Sequence, residues 1–258
     1  LVSSVMHAVS WLHKVFDMII DYHAHLKWNR DSDTYDVESC LHDMDENKID
    51  MRMISALEGY DIVHQNNVVA EAIKQHPDKL IGCAVLNPKE RDVMKELHRV
   101  IDMGVFSAIE LDSNEHCYFP EIAPHMEEIM TVCEEKGIIV NVFTGWGCRT
   151  MPAQWAFYAD RHPDLVMVLL HMGTTDFGYG CVELVKNRKN LFVETSCMYE
   201  FPILRKAFAN IPQDKFLFGT HYPHKFSDCS IHTFDLLKME SSLSEALYNK
   251  NAQRLLHL

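Results

Sequence analysis

From Met18 to the C-terminus, short apolar runs alternate with stretches of helical periodicity. The runs that read as strands are Met18–Asp21, Met51–Ala56, Leu80–Val85, Ala108–Leu111, Ile138–Phe143, Val166–Leu170, Leu191–Glu194 and Phe216–Gly219. The intervening predicted helices are Val37–Glu46, Val68–Gln75, Met94–Met103, His125–Glu135, Ala153–Arg161, Val182–Lys186 and Ile203–Ala209, and Leu243–Leu256 closes the chain. Strand runs of Val, Ile and Leu with helices between them imply a parallel sheet covered on both faces. Eight units in 258 residues fit an α/β fold closed as a (β/α)8 TIM-type barrel, whose usual length is about 250 residues, better than a doubly wound sheet. No linker or composition break interrupts residues 18–258, so one barrel domain is expected.

The segment ahead of it, 1–17, is of another character. Met6, Val9, Leu12, Val15 and Phe16 could line one helical face, and Met18 could equally be the true start. Lys+Arg 24 against Asp+Glu 37 gives a net charge of −13. That balance argues against nucleic-acid binding, which needs a basic face. No run approaches the roughly 20 apolar residues of a membrane span. The eight cysteines include no C-x-x-C pair, so no zinc ribbon or thioredoxin-type site is signalled. A reducing, cytoplasmic protein acting on a small molecule is the expectation, with a homodimer as the default assembly.

Histidines at strand ends carry the chemical signal. His23 and His25 follow the first strand one residue apart, and in extended chain residues i and i+2 point the same way. Two neutral imidazoles can therefore converge on one ion. His171 ends the apolar run Val168-Leu169-Leu170, where it could serve as ligand or general base. His221 and His224 flank Tyr222-Pro223 after the eighth strand, with His221 the better placed to reach a metal. Glu110 sits inside the fourth strand, where a carboxylate is costly unless it meets a metal or a cation; Glu194 on the seventh poses the same question. Trp146 and Arg149, after the fifth strand, could offer a stacking surface and a carboxylate clamp, with His224 beside the substrate.

Taken together, these segments resemble the amidohydrolase-related family that includes aminocarboxymuconate-semialdehyde decarboxylase and small metal-dependent hydrolases. Asp21-Tyr22-His23-Ala24-His25 is similar to its opening D-x-H-x-H, and Met44-Asp45-Glu46-Asn47-Lys48-Ile49-Asp50 to its M-D-E-x-x-I-D. His76-Pro77-Asp78-Lys79-Leu80-Ile81-Gly82, running on to Leu86-Asn87-Pro88, resembles another block. Leu170-His171-Met172-Gly173 resembles A-H-x-G, and Asn251-Ala252-Gln253-Arg254-Leu255 the closing N-A-x-R-L. The resemblance implies His23 and His25 as ligands and His171 as ligand or catalytic histidine. Two positions depart from the pattern: Phe143 stands where the family carries a strand-five histidine, and His221 where it carries an aspartate.

A rearranged site of His23, His25, Glu110, His171 and His221 follows, holding zinc first, with manganese or iron as alternatives. His171 and His221 are the candidates for moving protons. Hydrolysis of an amide, ester or lactone by metal-activated water is the leading expectation. Non-oxidative decarboxylation of an unsaturated or aromatic acid is the second. A barrel that only binds a ligand or partner is the third, and Phe143 is its best support.

Overall fold

A computed structural model describes residues 18–258. The segment expected to be a helix or a start-site artefact, 1–17, lies outside the described residues. Eight parallel strands follow one another around a single sheet in chain order. They are β1 (Ile20–His25), β2 (Met51–Ser55), β3 (Leu80–Val85), β4 (Phe106–Leu111), β5 (Ile139–Phe143), β6 (Met167–Leu170), β7 (Leu191–Glu194) and β8 (Phe216–Leu217). The two ends of the sheet meet. Tyr22 N–H donates to the Phe218 carbonyl at 2.8 Å, His221 N–H to that of His23 at 2.8 Å, and His25 N–H to that of Tyr222 at 2.6 Å. These bonds close the ring, so the predicted (β/α)8 barrel is the fold, with no exposed sheet edge.

Helices α1 (Val37–Asn47), α2 (Ile62–Gln75), α3 (Val93–Met103), α4 (Met126–Lys136), α5 (Pro152–Arg161), α6 (Thr174–Val185) and α7 (Phe201–Asn210) cover the outside. Two of their starts are capped by side chains: Asp36 accepts Ser39 N–H at 2.9 Å and Asp61 accepts Val63 N–H at 2.9 Å, filling donors that a first turn leaves open. One apolar layer lies between strands and helices; a smaller one fills the barrel with Ile20, Tyr22, Met53, Ile81, Val168 and Leu217. Among the described residues, no helix is long and apolar enough to cross a membrane.

The structure moves several predicted boundaries. Strand one begins at Ile20 and runs through both histidines to His25, where Met18–Asp21 was expected. It also carries one extra residue. Asp21 pairs with Arg52, but Ala24 pairs with Ile54, so β1 bulges between them. Tyr22 reaches across the interior to Asn141 at 3.2 Å, and His23 also faces inward, toward the rings of His171 and His221. Adjacent residues of a regular strand face opposite ways; the bulge is what lets both turn in.

Helix α6 starts at Thr174, well before the predicted Val182. Gly178 is there for packing: a Cβ would lie 2.8 Å from Cγ2 of Ile203 on α7. A hairpin of Lys27–Asn29 with Thr34–Asp36, and helix α8 (Ser227–Leu237), were not predicted. The closing helix is interrupted. Between α9 (Ser241–Glu245) and α10 (Asn251–Leu256) lies a π turn, Ala246–Lys250, whose Leu247 carbonyl accepts Phe218 N–H at 3.1 Å. Asn251 donates to the carbonyls of Gln213 and Phe216, both at 2.8 Å, and Ala252 and Leu256 pack with the residues inside the barrel. The closing motif of the sequence is therefore structural.

Candidate metal centre

The histidines that the sequence scatters over strands one, six and eight meet at the C-terminal mouth. Ring centroids of His23 and His25 are 4.7 Å apart, His23 and His171 5.1 Å, and His171 and His221 4.5 Å. His224 joins from the rim, 4.9 Å from His221 and 5.4 Å from His25. Three triads bring their donor atoms within 4.8 Å of one another: His23, His171 and His221; His25, His221 and His224; His23, His25 and Glu110. Nε2 of His23, His25 and His171, and Oε1 of Glu110, are buried without a hydrogen-bond partner. Buried polar atoms rarely go unpaired, and a cation at the centre would satisfy these.

Scaffolding explains why the side chains point there. Asp21 accepts Arg52 Nε at 2.7 Å, Thr220 N–H at 2.9 Å, Thr220 Oγ1 at 2.6 Å and His23 N–H at 3.2 Å. One carboxylate thus ties β1 to β2 and to the turn after β8. Arg52 also reaches Asp43 at 2.7 Å. The turns that present His171, Cys197 and His221 all use left-handed backbone, with φ of 62°, 59° and 59°. Such conformations cost roughly 1–3 kcal/mol each in a non-glycine residue and gather at functional sites.

Behind the imidazoles stand hydroxyls and carboxylates. Ser55 Oγ lies 2.8 Å from His25 Nδ1 and donates to Glu110 Oε2 at 2.6 Å. Ser196 Oγ lies 2.7 Å from His171 Nδ1 and donates to Glu194 Oε2 at 2.8 Å. Glu194 is fully occupied, since the backbone N–H groups of His171 and Ser196 also donate to it. Cys197 Sγ sits 3.2 Å from His221 Nδ1.

Burial holds His23 and His25 well below the ordinary imidazole pKa, with neighbouring histidines adding to the effect. It lowers His171 to about 3 and His221 well below its usual value. Neutral imidazole is the ligating form. Burial also lifts the carboxyls of Glu110 and Glu194 to about 8, as expected for acids without a counter-charge. The donor set fits a divalent ion that accepts nitrogen and oxygen.

The five residues expected at the metal fall in two of the three triads, which share His23: His23, His171 and His221, and His23, His25 and Glu110. The choice left open for Glu110 narrows: its close neighbours are Ser55 and His25, the latter at 3.9 Å, and it is not half of a strand-internal pair with Lys or Arg. Phe143 sets its edge on His171, with centroids 4.9 Å apart. Trp146 lies 5.9 Å from His171, its ring tilted to the imidazole, and is 44% exposed. Arg149 enters through its backbone, accepting Ser113 Oγ at 2.7 Å. Sequence reasoning missed Ser55, Ser196 and Cys197. The one available signal was that Ser196 and Cys197 lie two and three residues beyond Glu194.

A protein-family model described as amidohydrolase matches residues 20–258. By sequence, no curated protein matches the chain. Solved structures share the fold at low identity. The 5-carboxyvanillate decarboxylase of Sphingomonas paucimobilis superposes with a TM-score of 0.76 at 14% identity, covering 93% of this chain and 99% of that one. The 2,6-dihydroxybenzoate decarboxylase of Rhizobium gives 0.73 at 18%, covering 93% and 98%. The 5-carboxyvanillate decarboxylase of Novosphingobium aromaticivorans, complexed with manganese and 4-hydroxy-3-methoxy-5-nitrobenzoic acid, gives 0.74 at 14%, covering 93% and 96%.

Proposed function

The chain belongs to the amidohydrolase family, and from that premise we propose that this enzyme is a metal-dependent, non-oxidative decarboxylase of a small aromatic or unsaturated carboxylic acid. Decarboxylation displaces hydrolysis, the leading expectation from sequence, because solved structures that share the fold are named decarboxylases of hydroxylated benzoates, one with manganese bound. The observation that carries the reading is the convergence of unpartnered donors, His23 Nε2, His25 Nε2, His171 Nε2 and Glu110 Oε1, beside an aromatic wall.

A bound divalent ion, manganese or zinc, would supply Lewis-acid stabilisation for the substrate's oxygens. His23, His25, Glu110 and His171 would hold it. Phe143 and Trp146 would bound the substrate ring, while Arg149 and His224 lie on the segments that would meet its polar edge. Loss of carbon dioxide breaks a carbon–carbon bond and leaves the electron pair on carbon, which must take a proton. His221, within centroid reach of both His171 and the exposed His224, would relay it as a neutral imidazole, taking a proton from the solvent side through His224 as it gives one up to carbon.

The test is a substrate panel on manganese- or zinc-loaded protein, following carbon dioxide release from phenolic benzoates and unsaturated diacids alongside cleavage of lactones, esters and amides. We expect carbon dioxide in step with loss of the acid, and a fall of roughly 10²–10⁴-fold in His221→Asn. Turnover of lactones or amides without carbon dioxide would return the assignment to hydrolysis. Protein that takes up no ion and turns over nothing would make the barrel a binding module.

A further inference from the structure

We infer that Ser55 and Ser196 are positioning residues: each links a buried carboxylate to Nδ1 of one imidazole and so presents a bare Nε2 to the ion. The inference rests on the metal-dependent reading above and adds which atoms of this chain prepare its ligands.

The argument follows from counting protons. A serine hydroxyl has one proton and two lone pairs, and a carboxylate in its ionised form, the form that can face a cation, only accepts. That of Ser55 goes to Glu110 Oε2 at 2.6 Å, so toward His25 Nδ1, 2.8 Å away, the oxygen can only accept. That of Ser196 goes to Glu194 Oε2 at 2.8 Å, so toward His171 Nδ1, 2.7 Å away, it can again only accept. A neutral imidazole carries one N–H. With that N–H at Nδ1, the lone pair at Nε2 is free, and Nε2 of both rings is the buried atom left without a partner.

The arrangement occurs twice from unrelated parts of the chain. Ser55 ends β2 and meets a carboxylate on β4; Ser196 lies two residues beyond its own carboxylate on β7. They differ at the acid. Glu194 has both oxygens engaged by Ser196 and by His171 N–H, so it only anchors. Glu110 keeps Oε1 unpartnered, so it anchors His25 through one oxygen and faces the centre with the other. Hydrogen-bonded partners of this kind fix a ligand's tautomer and raise its basicity, and their loss typically weakens metal binding about 10–100-fold.

The experiment uses two readouts. Long-range proton–nitrogen NMR of ¹⁵N-histidine protein, stripped of metal and held above pH 8 so that both carboxyls are ionised, reports which ring nitrogen carries hydrogen; His25→Gln and His171→Gln assign the signals. We expect Nδ1–H with a bare Nε2 for both rings. Ser55→Ala should disturb His25 alone, and Ser196→Ala His171 alone. In parallel, manganese or zinc affinity by chelator competition should fall about 10–100-fold in each alanine variant and recover in Ser55→Thr and Ser196→Thr, with melting temperatures close to wild type. Nε2–H tautomers in the wild type, or alanine variants that leave tautomer and affinity unchanged, would overturn the assignment. The tautomers are read without metal. A protein that binds no ion but shows bare Nε2 would therefore refute the metal-dependent reading and leave the relays standing.

Discussion

The residue with the largest consequence for this site is Phe143, because it occupies the place where the family resemblance supplies a histidine. Its ring edge lies against His171, with centroids 4.9 Å apart, so a histidine there would add a donor beside one already aimed at the centre. Phe143→His should raise manganese or zinc affinity by at least about tenfold, equivalent to about 1.4 kcal/mol, measured by chelator competition. Unchanged affinity would mean that the strand-five position no longer faces the ion. His23, His25, His171 and Glu110 were legible in the sequence because each is a costly polar residue at the end of, or within, an apolar run. Ser55, Ser196 and Cys197 were not. A serine or cysteine after a strand has no distinctive cost, and its partner lies on another strand (His25 for Ser55, His221 for Cys197). The bulge that turns Tyr22 and His23 to one side was also hidden, since it is a property of pairing with β2.

At the scale of elements, the strands were legible and several of the connecting segments were not. Runs such as Leu80–Val85 and Leu191–Glu194 coincide with the observed strands because burial on both faces forces unbroken apolar sequence. The hairpin after β1 is polar and short, with strands of three residues each, and carries no such pattern. Helix α8 buries only Ser227, Ser230, Ile231 and Phe234, too sparse an apolar face to stand out. One glycine of the sequence carried information. Gly82 belongs to a family-like block, and the reason is now physical: it lies where the β3–β4 register shifts, and a Cβ there would sit 2.5 Å from the Val105 carbonyl oxygen and 2.6 Å from Ile73 Cδ1. A backbone carbonyl cannot swing away as a side-chain tip can. Gly82→Ala should therefore destabilise the barrel by about 1–3 kcal/mol, the usual range for overpacking, lowering the melting temperature by roughly 2–4 °C per kcal/mol. A variant as stable as wild type in thermal denaturation would show that β4 can shift to make room.

For the whole molecule, the site at the mouth sets how stability depends on pH. Without metal, burial keeps Glu110 and Glu194 protonated up to about 8, against an ordinary value of 4.5, and Asp112 up to about 7. The folded protein then binds protons that the unfolded chain has released, so their contribution is fully present below the ordinary carboxylate range and is lost as pH rises through the folded values. The imidazoles run the other way. His171 is lowered to about 3, and His23, His25 and His221 lie well below 6.5, so their contribution is present above 6.5 and lost as pH falls. Above about 6.5 the imidazoles no longer titrate and the buried acids do. Metal-free protein should therefore lose stability from about pH 6.5 toward pH 8.5. A divalent ion acts most strongly on the alkaline side. Its ligands must be deprotonated, so binding strengthens with pH, and binding to the folded state adds stability that grows with the ratio of ion to dissociation constant. Calorimetric melting across pH 5–9 should show the alkaline decline in chelator and a shallower one with excess manganese, with protons released on binding. An alkaline decline equally steep with and without the ion would mean that Glu110 does not meet the metal.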